Sequence, residues 1–168
     1  RTKEDSVRGV LTERYAPLDN ADILEILTPL LEPHYQVGWF ALTDESMHLR
    51  VVDPRLAREV LPNDRLIAGI HLANSEVGKR AVTVDALVFR LVCSNGLVRL
   101  VKGASLLYRR HLSWSKPQFE AELRQAMREA FLHGVGFIER LSWSTEEHIQ
   151  DVDGTLQMLG SRWNWNET

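Results

Sequence analysis

Between Ala81 and Val92 only Thr83, Asp85 and Arg90 interrupt a run of apolar side chains rich in valine. The run is too short to cross a bilayer, which takes about 20 apolar residues. Near-continuous apolar sequence with β-branched residues is what a strand needs when both of its faces are covered. Such a strand lies inside a sheet, with a partner on either side, and the flanking sequence supplies partners. Gln36 to Leu42 and Met47 to Val52 read as a hairpin around Thr43-Asp44-Glu45-Ser46. In its second arm Met47, Leu49 and Val51 alternate with His48 and Arg50, as in a half-buried strand. Arg65 to Leu72 is a further strand, in which Gly69 marks a bulge or a close backbone approach. Ala73 to Arg80 is a polar loop. Ser94-Asn95-Gly96 is a turn signal, followed by strand segments Leu97 to Val101 and Ala104 to Leu112. Val7 to Tyr15 also reads as a strand.

Helical signals lie at either side of these strands. Asn20 is placed to cap a helix, with Asp22 in its first turn, and Ile23, Leu24, Leu27, Leu30 and Leu31 follow at helical spacing until Pro29 bends or ends it. Pro54 to Val60 suggests a short helix, and Pro62-Asn63-Asp64 a turn. Ser115 caps a long helix with Pro117 near its first position. Its stripe is Phe119, Leu123, Ala126, Met127, Ala130, Gly134, Phe137, Ile138 and Leu141. Thr145 to Trp165 predicts a second, shorter helix and a tail. Consecutive strands followed by helices predict an α+β fold. The expected form is an antiparallel sheet of about five to seven strands, packed by the long helix and one or two shorter ones. At 168 residues the chain fits one domain, with 145–168 as a peripheral helix and tail. It begins with Arg1 rather than Met, so a fragment lacking some N-terminal residues is expected. The lone cysteine, Cys93, excludes an internal disulfide and points to a reducing cytoplasm.

The net charge of −3 argues against a uniformly basic nucleic-acid binder. Its distribution says more. Residues 1–78 carry 8 Lys/Arg against 13 Asp/Glu, residues 79–116 carry 8 against Asp85 alone, and residues 117–168 carry 4 against 9. A block of net +7 therefore stands between two acidic ones.

Within that block Tyr108-Arg109-Arg110-His111 sets cationic groups beside an aromatic ring. Arginine forks phosphate oxygens and a ring stacks a base, so the pattern suits a nucleic-acid backbone. In a strand, Arg109 and His111 share one face and Tyr108 and Arg110 the other. Lys79, Arg80, Arg99 and Lys102 extend the stripe, and Trp114 is an alternative platform. An edge strand that uses charge to block aggregation would look the same. No phosphate loop, G-x-G-x-x-G, H-E-x-x-H or G-x-S-x-G motif occurs, and nothing calls for a cofactor. An enzyme of another kind would have to gather His71, His111 and Asp85 around a metal, or use Cys93 as nucleophile. Structural histidines and a buried cysteine are the plainer readings. Trp163-Asn164-Trp165 is either a docking tail or the capped end of the core. Binding requires Lys79, Arg80, Lys102, Arg109 and Arg110 to line one groove; catalysis requires His71, His111 and Asp85 to converge.

Three stretches carry a resemblance: Leu11 to Asn20 (LTERYAPLDN), Gly69 to Gly78 (GIHLANSEVG) and Phe89 to Leu97 (FRLVCSNGL). They resemble the phage- and plasmid-associated family of domain of unknown function 932, over roughly Val7 to Leu159. The resemblance implies a role in mobile-element DNA metabolism and supplies no catalytic residue. The order of strands and long helix is also similar to the core of phage single-strand annealing proteins. That similarity implies a homo-oligomer that binds or anneals single-stranded nucleic acid, DNA favoured, in recombination or replication. A non-enzymatic protein that binds a host factor is the duller alternative.

Overall fold

The computed structural model describes residues 2–3, 5–90, 97–146 and 150–163, and of 3, 97–104 and 160–163 the backbone alone. Thr2–Lys3 (β1) and Ser6–Val7 (β2) form a small separate ribbon. Asn20–Leu27 (α1) gives way at Pro29 to a 3-10 turn. There follow Gln36–Leu42 (β3), Met47–Val52 (β4), Arg58–Leu61 (β5), Asp64–Asn74 (β6), Val82–Arg90 (β7), Leu97–Arg109 (β8), Lys116–Glu146 (α2) and Val152–Trp163 (α3). The main sheet runs β3-β4-β6-β7-β8, with β5 paired to the start of β6, and every pairing is antiparallel. The fold is α+β. Among the described residues no helix is long and apolar enough to cross a membrane.

One sheet face is the core. Met47, Leu49 and Val51 of β4, Ile70 and Leu72 of β6, and Val82, Val84 and Ala86 of β7 meet α1 through Ile23, Ile26 and Leu27. They meet α2 through Phe119, Leu123, Met127 and Phe131. A second cluster, Leu66, Ala68, Val88 and Ile138, continues this layer toward the far end of α2. Fully burying a side chain of this size contributes about 1.5–3 kcal/mol, so this layer is the main source of stability. β7 sits between β6 and β8, as its apolar composition requires. Gly69 is a close approach and not a bulge: it pairs in register with Val52 and Leu87, and a Cβ there would lie 2.6 Å from the Val51 carbonyl oxygen.

Several expectations change. Val7 to Tyr15 is not a strand beyond Val7. Among the described residues it pairs with no strand of the main sheet, and side chains pin it instead: Arg8 pairs with Glu76 at 3.0 Å, and the Tyr15 hydroxyl donates to the carbonyls of Ser75 and Glu76. The α1 cap is Asp19, whose N–H donates to Asp22; Asn20 turns its amide oxygen to Asn74 Nδ2 at 2.8 Å. Pro54 to Val60 holds only one 3-10 turn before the chain extends into β5. The two segments after the turn signal are one strand, β8, whose register with β7 shifts around Asp85.

The sheet also curls. Two strands lie between β3 and β7, yet a Cβ on Gly38 of β3 would come within 3.8 Å of the Phe89 ring of β7. The face away from α2 is therefore concave; His48, Arg50, His71, Thr83 and Asp85 make one end of it polar, while Val52, Ile67, Leu87 and Phe89 make the other apolar.

Candidate functional site

Strand register lays two rows across the concave face. Trp39, Arg50, His71, Asp85 and Ser105 are successive cross-strand partners, as are Ala41, His48, Ala73, Thr83 and Tyr108. Between the rows His48 Nδ1 and His71 Nε2 are 3.1 Å apart. The Ser46 hydroxyl lies 3.2 Å from His48 Nε2, and His71 Nδ1 lies 3.8 Å from Asp85 Oδ2. The two imidazole planes are within 5° of parallel with centroids 5.3 Å apart. That separation exceeds the nitrogen distance by nearly two ring radii, so the rings sit edge to edge and share an in-line N–H···N bond. A metal between those two nitrogens would have no room. Among the described residues no group of three His, Cys, Asp or Glu could hold a metal ion.

The proton positions follow from Asp85. Burial pushes its carboxyl up, but the neighbouring His71, Ser105 and Thr83 outweigh that and hold it below the ordinary carboxylate value. An ionised Asp85 keeps the proton of His71 on Nδ1. His71 Nε2 then accepts from His48 Nδ1, and His48 Nε2 accepts from Ser46. Burial, followed by Arg80, His71 and Arg50, lowers His48 below the ordinary imidazole value, so the His48 ring is neutral at pH 7. Beside it the Arg50 guanidinium lies 4.4 Å from the Trp39 ring centroid. Among the described residues Arg50 has no carboxylate partner, and its Nε is buried without a hydrogen bond.

At the β8 edge of the same face a groove of about 410 Å³ is lined by Lys79, Arg80, Tyr108, Arg110 and His111, with Val10 to Thr12 and Tyr15 as its other wall. Tyr108 is 71% exposed. Lys79 reaches Glu45 at 3.6 Å, while among the described residues neither Arg80 nor Arg110 has a carboxylate partner. His111 is buried, stacked on Tyr15 at 4.9 Å, and anchors the N-terminal wall.

The expected site residues thus divide. Lys79, Arg80, Tyr108, Arg110 and His111 come together. Arg109 does not join them: it pairs in register with Val82 on the helix side, is 14% exposed, and bonds to Glu122 and the Ser113 carbonyl. Arg99 and Lys102 lie on β8, but their side chains are outside the described residues, as are Cys93, the Ser94-Asn95-Gly96 turn and Asn164-Trp165. His71 and Asp85 converge as a pair. His111 is elsewhere, and His48 takes the place beside His71. Sequence reasoning missed His48, Arg50 and Trp39 as a site. The alternation of β4 showed that His48 and Arg50 turn from the core, yet nothing local shows that His48 meets His71, two residues off in register on the neighbouring strand.

A family model described as Domain of unknown function (DUF932) matches residues 7–151. The chain belongs to the DUF932 family. The match runs from β2 to the residue before α3, and so takes in the whole main sheet, the histidine pair and the basic groove. Comparison with curated proteins and with solved structures found no match.

Proposed function

We propose that this DUF932 chain binds single-stranded nucleic acid, DNA in the first place, along the Lys79, Arg80, Tyr108 and Arg110 groove. In this reading it works as a homo-oligomer in cytoplasmic recombination or replication on a phage or plasmid. One observation carries the binding reading: cations from the β6–β7 loop and from the end of β8 meet around an exposed tyrosine ring. Phosphates take the cations by counterion release, and a base takes the ring. Only an unpaired base offers its face, which is why a single strand suits the groove better than a duplex.

The experiment is a fluorescence anisotropy titration with labelled oligothymidylate at several salt concentrations. Each neutralised phosphate contributes about −0.7 to the slope of log affinity against log salt. Arg80→Ala with Arg110→Ala flattens that slope by about one to two units. Tyr108→Ala weakens binding by about 1–3 kcal/mol with the slope retained. Arg109→Ala leaves the slope alone and lowers stability, because it removes the ion pair to Glu122 and the bond to the Ser113 carbonyl. Arg58→Ala with Arg124→Ala, both exposed and outside the groove, serves as control. The reading is wrong if the folded chain binds no oligothymidylate at about 50 mM salt. It is equally wrong if the control loses as much affinity as the groove variant.

A further inference from the structure

Resting on that reading, we propose that Arg50 and His48 hold one phosphodiester of the bound strand on the concave face, and that this phosphate arrives together with a proton taken up by the His48–His71 pair.

Three observations converge on the subsite. Arg50 is a cation with no counterion among the described residues, and its Nε is buried without a partner. Its guanidinium is fixed against Trp39, which leaves the N–H fork to face an anion and the 42% exposed indole to face a base. The histidine pair is built to accept one proton. His48 Nε2 is its acceptor end, and the in-line bond to His71 passes the charge toward Asp85, which offsets it. The proton comes from solvent and no covalent bond of the ligand changes. Arg80 links this subsite to the groove, since it acts on His48 while also lining the groove wall.

The direction of the pH dependence follows from what faces His48. The turn before its strand contributes Ser46 and the strand itself Arg50, β6 contributes His71 with Asp85 of β7 behind it, β3 contributes Trp39, and the β6–β7 loop contributes Arg80. The two arginines and burial keep His48 neutral in the free chain. A bound phosphodiester reverses their effect, so His48 titrates higher in the complex than in the free chain. Affinity then falls as pH rises through that window, by up to about 10-fold per pH unit for one linked proton.

Two measurements on the whole chain test this. In the first, the His48 ring protons are titrated by NMR without and with inorganic sulfate, an anion that does not itself titrate in this range. The expected result is a midpoint that rises with sulfate in the parent and stays in place in Arg50→Gln. In the second, oligothymidylate affinity is followed from about pH 5.5 to 8 at constant salt, a range in which histidine is the ordinary titrating group. The parent weakens as pH rises. His48→Gln loses that dependence, and at the acid end its affinity drops toward the parent's value at the alkaline end. Thermal melts of both variants establish that they are folded. The subsite is overturned if sulfate leaves the His48 midpoint unmoved. It is also overturned if the parent binds the oligonucleotide equally well across the range, or if His48→Gln keeps the parent's slope; those two outcomes leave nucleic-acid binding standing. If sulfate moves His48 in the parent alone but no oligonucleotide binds at any pH, the anion subsite stands and the nucleic-acid reading falls.

Discussion

Val88→Asp is expected to destabilise the chain by about 4 kcal/mol or more, which for a domain of this size lowers the melting temperature by about 10 °C or more. Val88 is 3% exposed in β7 and packs with Leu66, Ala68 and Ile138. That cluster is entirely apolar. A carboxylate there gives up those apolar contacts and is either buried charged or forced to take a proton, and both are costly. The backbone pairing on both edges of β7 leaves the strand no freedom to turn the new side chain to solvent. Calorimetry or thermal circular dichroism reads the result. A variant melting within a degree or two of the parent would show that β7 is not the buried centre of this sheet.

Gly134 supplies the second large effect and a reversal of sign. In an exposed helix, Gly→Ala is ordinarily stabilising by about 1 kcal/mol. Here a Cβ on Gly134 would lie 2.8 Å from the Ala68 Cβ, where α2 crosses β6. Gly134→Ala is therefore expected to destabilise, by about 1–3 kcal/mol, because the helix must lift from the sheet. Gly134→Leu, which adds three more carbons at the same contact, is expected to cost more and to abolish the cooperative transition at high temperature. Ala68→Gly in the Gly134→Ala background restores most of the loss, since it removes the atom the new methyl meets, and a double-mutant cycle measures the coupling. Additive single effects would refute the close approach.

The sequence was most informative where a segment's neighbours are implied by its own pattern. The hairpin Gln36 to Leu42 and Met47 to Val52 was legible to the residue, because alternation and a polar four-residue turn specify both strands and their pairing. The stripe of α2 was legible for the same reason: period 3.6 marks the buried face wherever the sheet lies. Phe131 was the one large buried member it missed. Val7 to Tyr15 has strand-like composition, but being a strand depends on forming a ladder with a neighbour, which no local pattern encodes. β5 is the converse, a short polar segment extended because β6 offers it an edge.

The site shows the same division. Parity along β8 established from the sequence that Tyr108 and Arg110 share one face and Arg109 the other. Which face looks at α2 was decided by register, when Val82 paired with Arg109 and set it against Glu122. The basic block was a property of composition, while the groove required the β6–β7 loop to fold back beside the end of β8. Ser46, His48, His71 and Asp85 come from a turn and three strands, and only their antiparallel pairing places one imidazole edge against the next. Side-chain period is local and is written in the chain. The offset between two strands is settled by the packing of the whole core, since a one-residue slip would turn every buried side chain of β6 or β7 outward.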